Sequence, residues 1–318
     1  MNLKSEFRSR REKVQEIMRE KGIDVLLLAS SFIEREGNVC YLTNWHSAFP
    51  PCALDEFRQG IGYSFYILPS EGEGVLIVDS APPEVEVYNV DKVVSGLNLF
   101  ENLVKALEGI VSGKKVRIGI DGSYIIPSYV VDLMRERLPT ADYVFVDGLV
   151  EKLRMIKSEF ELNVIKEAAK IADVGLNKFF EVVREGLREI DVAIEVEKAC
   201  YEAGADYVAR VRVHSGPMSA ITARWPYSTK RRIKRGDLVL LDLVGWYRNY
   251  AFDVGRVTYL GTPSSEEREI IEVAASAQEL EVRNVRPGVI AEELSKVAED
   301  YIVKSGYGEY MSPLGHGI

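Results

Sequence analysis

Two aspartates interrupt segments that otherwise have the composition of buried β-strands. They are Asp242 and Asp253, in the stretch DLVLLDLVGWYRNYAFDVGR (237–256). The runs on either side of Arg248 are rich in Val, Leu, Tyr and Phe, which predicts an antiparallel hairpin. If the turn is centred between Tyr247 and Arg248, the two aspartates oppose each other directly across the strands, with Cβ atoms about 5 Å apart.

Like charges in that arrangement are destabilising, so something must compensate for them. A proton shared by the two carboxylates is one solution. One or two divalent cations bound by both carboxylates are another. A third interpretation is purely structural: one Asp caps a turn and the other points to solvent, since a register shift of one residue is enough to separate them.

Composition excludes several classes of protein. The 318 residues are enough for two domains, and 47% apolar with 28% charged residues is typical of a soluble globular protein. The net charge of -9 argues against a nucleic-acid partner. No apolar run approaches the roughly 18 residues of a membrane span, and the start, MNLKSEFRSRREK, is too charged for a signal peptide.

The cysteine count indicates a compartment. Three widely spaced cysteines give neither a disulfide framework nor a zinc spacing, which favours a reducing cytoplasm. The chain contains only three Gln but many Glu, Lys and Arg residues, a composition that is typical of thermophilic proteins.

The first half of the chain alternates helical and strand periodicities. We expect an amphipathic helix near 4–22, a hairpin over 62–79 that turns between Pro69 and Gly74, and a second helix near 126–138. The apolar segments between them are DVLLLA (24–29), NVCYLTN (38–44), VRIGIDG (116–122) and DYVFVDG (142–148). Such alternation predicts an α/β domain over residues 1–150.

A second domain is predicted over residues 151–318. Its first long helix begins at Ser158, because Ser158 and Glu161 have the spacing of a capping box and an apolar stripe at helical spacing follows.

This second domain contains an internal repeat. A shift of 102 residues places VREGL (183–187) on VRPGV (285–289), Gly204 on Gly306, and His214 on His316. Each unit has a long helix, a V-R-x-G turn, a second helix, a glycine and a strand, which predicts a duplicated supersecondary unit. The first copy continues into the aspartate hairpin, whereas the sequence ends before a matching second hairpin.

Several of these motifs resemble one known family. The stretches are LRMIKSEFEL (153–162), RIKRGDLVLLDLVGWYRNYAFDVGR (232–256), VRPG (285–288) and GHGI (315–318). They are similar to the pita-bread metallopeptidases, which include prolidase, aminopeptidase P, methionine aminopeptidase and the metal-free creatinase. GIDVLLLA and NVCYLT resemble the family's N-terminal creatinase-like domain. The resemblance implies an α/β (α+β) chain in which a creatinase-like domain precedes a pita-bread domain with a pseudo-twofold repeat.

The resemblance also implies a dinuclear metal site. Asp242, Asp253 and His316 match family metal ligands, and two glutamates from the absent second hairpin would complete the set. The implied chemistry is two-metal hydrolysis, in which cations activate a shared water and polarise the scissile carbonyl. Mn, Co, Fe and Zn all suit such ligands.

The sequence departs from the family pattern in three places. Trp225 stands where prolidases have a substrate-facing His, and Trp cannot act as an acid or base near neutral pH. It either contacts substrate or is ordinary packing. The family's Thr-Arg-Thr after the second Asp is Gly-Arg-Val here. The second hairpin and its glutamates are missing, so either the sequence is a fragment, which we expect, or the protein does not bind metals as its relatives do.

His214 is a further candidate, either lining the substrate pocket or structural. From the resemblance we expect a cytoplasmic homodimer that hydrolyses small peptides with proline in the second position and binds neither nucleic acid nor membrane. Two alternatives stay open: a family member with altered chemistry, such as a hydrolase or lyase of a small zwitterion, and a non-catalytic pita-bread binding domain.

Overall fold

The computed structural model of the protein describes residues 3–31, 37–47, 51–80, 90, 92–220 and 227–308. The chain divides into two compact units, residues 1–162 and 163–318. None of the helices in these described ranges is long and apolar enough to cross a membrane.

The first unit has alternating helices and strands. In chain order they are α1 (Leu3–Glu20), β1 (Val25–Ser31), α2 (Gly37–Thr43), β2 (Tyr63–Pro69), β3 (Val75–Val78), β4 (Lys92–Ser95), α3 (Leu99–Val111), β5 (Arg117–Asp121), α4 (Ser128–Arg137), β6 (Asp142–Phe145) and α5 (Leu149–Arg154). The six strands form one mixed sheet in the order β4-β3-β2-β1-β5-β6. The predicted α/β architecture, the two helices and the hairpin are confirmed, whereas residues 38–43 of the segment 38–44 lie in α2.

The central strand β1 is buried along its whole length. Because side chains alternate across a strand, Val25 and Leu27 lie in one apolar cluster together with residues of α3 and α4. Leu26 and Leu28 lie in a second cluster on the opposite face, together with Val14 and other residues of α1, α2 and α5. The sheet is therefore covered on both faces, as a parallel-rich α/β sheet requires.

A buried ion network fixes the start of the next helix to α1. The predicted capping box is confirmed: the amide of Ser158 donates to Glu161 at 2.8 Å, and the amide of Glu161 donates to the Ser158 hydroxyl at 3.2 Å. Ser158 Oγ also donates to Glu6, whose carboxylate is 3.1 Å from the buried Arg10. Arg10 lies over the ring of Tyr41 and 3.7 Å from Glu161. One guanidinium is thus shared by two buried glutamates.

Asp121, at the carboxyl end of β5, is buried with only 1% of its surface exposed. Its carboxyl group accepts hydrogen bonds from Asn38 Nδ2 at 3.3 Å and from the Val150 amide at 3.2 Å. Burial, reinforced by the nearby charge of Glu151, raises the pKa of Asp121 to about 7. Since this pKa is raised above the unfolded value, the folded state binds the proton more tightly, and ionisation at higher pH opposes folding.

We therefore expect Asp121→Asn to flatten the pH dependence of stability. The free energy of unfolding of the unmodified protein should fall between pH 5 and pH 8 relative to Asp121→Asn by about 2 to 3 kcal/mol, the equivalent of roughly two pKa units. Urea denaturation at both pH values measures the difference. Asp132→Asn on α4, which removes an exposed carboxylate, is the matched control, and equal slopes for all three proteins would contradict the prediction.

The second unit begins within α6 (Glu159–Val182). It continues through α7 (Glu189–Glu202), β7 (Tyr207–Ser215), β8 (Leu238–Tyr247), β9 (Tyr250–Tyr259), α8 (Ser265–Asn284) and α9 (Ala291–Lys304). The three strands form an antiparallel sheet in the order β7-β8-β9.

One face of this sheet packs against α6 and α7. Its contributions to the shared core include Val213, Leu241 and Leu243. At Gly175 on α6 a Cβ would come within 2.6 Å of Leu243 and 2.8 Å of Cys200. Only glycine therefore permits this close approach between α6, α7 and the sheet.

The internal repeat is confirmed by the helix boundaries. Helices α6 and α8 end at 182 and 284, and α7 and α9 span 189–202 and 291–304, so these three pairs of boundaries each differ by 102 residues. The glycines of the two V-R-x-G turns have matching φ values of 88° at Gly186 and 86° at Gly288. The glycines after the second helix, Gly204 and Gly306, also have positive φ. The duplicated unit is a property of the backbone as well as of the sequence.

Candidate functional site

The predicted hairpin is confirmed, but its predicted register is wrong. Strands β8 and β9 are joined by the two-residue turn Arg248–Asn249, with Tyr247 paired to Tyr250. Both turn residues have positive φ, 48° and 67°, as a tight hairpin turn of the type I′ class requires. The turn centre therefore lies one position later than the sequence analysis places it. As a result Asp242 faces Gly255, and Asp253 faces Val244.

The two aspartates nevertheless lie on the same face of the sheet. When the turn centre moves by one residue, each residue pairs with a partner two positions further along the other strand. Side chains two positions apart point to the same face of a strand, so the faces are unchanged. Asp242 and Asp253 are therefore diagonal neighbours, an arrangement in which residues are typically about 7 Å apart. The alternate residues Leu241 and Leu243 face the helices, so the aspartates lie on the face away from the core.

The charge of Asp242 is compensated by two arginines of β7. Arg212 is the direct cross-strand partner of Asp242, and its Nη2 lies 2.5 Å from Asp242 Oδ2. Arg210 Nη1 lies 3.3 Å from the same oxygen. Neither arginine was predicted as a partner of Asp242. The signal was present in the alternation of RVRVH (210–214), which places Arg210, Arg212 and His214 on one face of the strand.

Gly255 leaves space beside Asp242. Its φ is outside the left-handed region, and a Cβ placed there would meet only the carbonyl oxygen of Leu241, at an ordinary 3.6 Å. A glycine inside a strand costs stability because it packs no side chain. Its effect here is to remove the side chain that would otherwise stand directly across from the Asp242 carboxylate.

His214 shares this face of β7 but is fully buried. Its Nε2 lies 3.0 Å from the carbonyl oxygen of Tyr227, so Nε2 carries the hydrogen and donates it. Among the described side chains and backbone groups no hydrogen-bond partner reaches its buried Nδ1. The imidazole thus anchors the segment that follows residue 226 and keeps one acceptor nitrogen. The predicted candidates Trp225 and His316 lie outside the described residues.

A buried carboxylate that was not predicted from the sequence positions the end of β7. Glu189, the first residue of α7, is fully buried and accepts four hydrogen bonds. Oε1 accepts from the amide and hydroxyl of Ser215, and Oε2 accepts from the amide and hydroxyl of Thr229. A glutamate at the first turn of a helix reads in sequence as an ordinary surface residue that favours the helix dipole. Its structural role depends on partners 26 and 40 residues away.

An arginine extends this network towards the hairpin. Arg231 donates to Ser215 Oγ and pairs with Asp237, with its Nη1 2.6 Å from Oδ2. Asp237 also accepts from the amide of Lys234. The Arg231 guanidinium lowers the pKa of Asp237, and the hydrogen bond from Lys234 acts in the same direction. This network holds the loop before β8 and thereby the strand that carries Asp242.

The side chains on the face that carries the aspartates supply part of a ligand set for a divalent cation. Carboxylate oxygens are suitable ligands for Mn²⁺ and similar ions, and Asp242 and Asp253 are near enough as diagonal neighbours to contribute to one centre. Within the part of the chain that the structure describes, no three His, Cys, Asp or Glu side chains form a group that could hold a metal. Two carboxylates thus fit as part of a metal site, although Oδ2 of Asp242 already carries two arginine contacts.

Comparison with known families gives a match for each part of the chain. Residues 163–318 match the model of metallopeptidase family M24, and residues 10–156 match the creatinase/prolidase N-terminal domain. A Xaa-Pro dipeptidase of Pyrococcus horikoshii is 31% identical over 311 residues, which cover 96% of this chain and 80% of the relative. A Xaa-Pro dipeptidase of Pyrococcus furiosus is 32% identical over 322 residues, covering 98% and 82%.

Solved structures show the same relationship. The crystal structure of the prolidase from Pyrococcus horikoshii OT3 matches with a TM-score of 0.78 at 29% identity, covering 96% of this chain and 80% of that one. The family implies divalent metal ions and a peptide substrate. Sequence and fold together show that the chain belongs to the pita-bread metallopeptidases of family M24, in the group that contains prolidase and aminopeptidase P.

Proposed function

We propose that this metallopeptidase cleaves small peptides with proline in the second position, at a dinuclear centre that includes Asp242, Asp253 and His316. The single observation that carries the proposal is the placement of both aspartates on the same face of the β8–β9 hairpin, on the side away from the core. The names of the Pyrococcus relatives support the substrate class.

The residues of this chain have separate tasks in the proposed site. The carboxylates of Asp242 and Asp253 hold the cations, which when bound would supply Lewis-acid polarisation of the scissile carbonyl and activation of a water. Trp225 offers a flat ring against which a substrate ring can stack. His214 supports the substrate pocket through its bond to the Tyr227 carbonyl. The protein acts in this proposal as a cytoplasmic homodimer.

A direct assay tests the substrate class. The full chain, loaded in turn with Mn²⁺, Co²⁺, Fe²⁺ and Zn²⁺, is incubated with Xaa-Pro dipeptides, with Xaa-Ala dipeptides and with betaine-like zwitterions. We expect the Xaa-Pro dipeptides to release free proline in a reaction that depends on the metal and stops with a chelator. The rate should exceed the rate at which Xaa-Ala dipeptides release free alanine. Metal analysis of the same sample should give about two ions per chain.

A second candidate function is the hydrolysis or cleavage of a small zwitterion. Trp225 in the position of the family's substrate-facing His favours it, because a Trp ring binds a quaternary ammonium and cannot transfer protons. Turnover of the betaine-like compounds with none of the dipeptides would establish this alternative and overturn the peptidase proposal.

A further inference from the structure

We propose that Arg212 is an internal counter-cation that competes with divalent metal ions for Asp242. The inference rests on the proposed role of Asp242 as a metal ligand. It deepens that role, because it makes metal affinity depend on a residue that binds no metal.

The geometry makes Arg212 the principal partner of Asp242. The two residues face each other directly across β7 and β8. The side chains are 11% and 14% exposed, and Arg212 Nη2 lies 2.5 Å from Asp242 Oδ2. Water therefore screens this ion pair less than it screens an exposed pair. Arg210 contacts the same oxygen at 3.3 Å, but its side chain is 40% exposed.

The same geometry opposes metal binding. A divalent ion on Asp242 Oδ2 would occupy the space that the Arg212 guanidinium now fills, and any position beside it would place two like charges close together. Metal and guanidinium are thus alternatives at this oxygen. Without metal, the arginine keeps the carboxylate neutralised and the β7–β8 pairing favourable.

An opposite role for Arg212 makes the opposite prediction. Groups that hydrogen-bond a ligating carboxylate commonly orient it and increase metal affinity. If Arg212 acts in that way, its removal weakens metal binding. If Arg212 competes, its removal strengthens metal binding. The sign of the change in affinity therefore distinguishes the two roles.

Four variants of the full chain test the proposal, each titrated with Mn²⁺ by isothermal calorimetry. Arg212→Met removes the charge and keeps the length of the side chain, and we expect it to bind Mn²⁺ about tenfold more tightly, as one fewer unit charge near the ion implies. Arg212→Lys keeps the charge and should retain the original affinity. Arg210→Met should give a smaller increase. Arg256→Met, an exposed arginine on the opposite face of β9, should give no change.

Urea unfolding provides a second readout, which does not depend on enzymatic activity. In the metal-free state Arg212→Met should lower the urea midpoint, because Asp242 loses its main partner. Saturating Mn²⁺ should reduce that difference, since tighter binding to the folded state adds stability.

The outcomes separate this proposal from the proposed function. Weaker or unchanged Mn²⁺ binding by Arg212→Met overturns the competition, while metal-dependent peptidase activity would still stand. Absence of Mn²⁺ binding by both the original protein and Arg212→Met overturns the competition and the metal site together. If Arg212→Met binds Mn²⁺ more tightly but neither it nor the original protein hydrolyses peptides, the competition is supported and the peptidase proposal is overturned.

Discussion

Asp242→Asn should reduce metal-dependent peptide hydrolysis by on the order of 10³-fold or more, because in the proposed site several kcal/mol of transition-state stabilisation depend on ions that this carboxylate would hold. An amide has the shape of the carboxylate but lacks its charge, and it leaves Arg212 and Arg210 without their shared counter-ion. The face would then carry a net positive charge and repel a divalent ion. We expect Mn²⁺ affinity and hydrolysis to fall together.

The experiment requires a check on folding, because Asp242 also stabilises β7 against β8. Circular dichroism and the urea midpoint show whether the variant is folded at the assay temperature. Asp253→Asn, which removes the diagonal carboxylate, should cause a loss of similar order, and Asp173→Asn, an exposed aspartate on α6, should retain full activity. Folded Asp242→Asn with activity within tenfold of the original would exclude Asp242 from the metal site.

Glu189→Gln should destabilise the second unit by about 3 kcal/mol or more, as expected when a buried hydrogen-bonded charge loses its complementarity. The carboxylate accepts four hydrogen bonds, two at each oxygen. A Gln side chain keeps one acceptor oxygen and turns an NH₂ group towards the donors that the other oxygen served. At least one backbone amide, from Ser215 or Thr229, is left facing another donor.

The unfolding free energy from urea denaturation measures this effect. Glu185→Gln, an exposed glutamate four residues earlier, is the matched control and should change stability by less than about 0.5 kcal/mol. Hydrogen exchange adds a local measurement, since the amides of Ser215 and Thr229 should lose protection in Glu189→Gln. A loss below about 1 kcal/mol would show that the network contributes little to stability.

The elements of this fold could be predicted because local signals agree with tertiary structure. The capping box at Ser158 and Glu161, the hairpin over 62–79 and the 102-residue repeat each rest on residues close in sequence or on a repeated pattern. Such features depend on backbone preferences and on the apolar period, both of which are visible in the chain itself.

The register of the aspartate hairpin could not be predicted in the same way. It depends on whether Arg248 adopts a left-handed conformation, which is unfavourable for an arginine in isolation. The paired strands impose that conformation through their twist, a tertiary effect. The shift leaves each residue on its predicted face, so the shared face of Asp242 and Asp253 was predicted correctly, whereas their predicted direct opposition does not occur.

The partners of Asp242 and Glu189 were missed for a different reason. Arg212 is 30 residues from Asp242 in sequence, and Thr229 is 40 residues from Glu189. No local pattern joins such pairs. The alternation in RVRVH indicated which residues share a face of β7, but not which residue of the neighbouring strand lies across from each.

Gly255 has a consequence for redesign of this enzyme. It lies directly across from Asp242, its backbone conformation is available to any L-amino acid, and the nearest atom to a new Cβ is at normal contact distance. Most positions around a binding site cannot be altered without disturbing packed neighbours. Position 255 is an exception. A single substitution at Gly255 can change the polarity beside the Asp242 carboxylate without disturbing the β8–β9 hairpin.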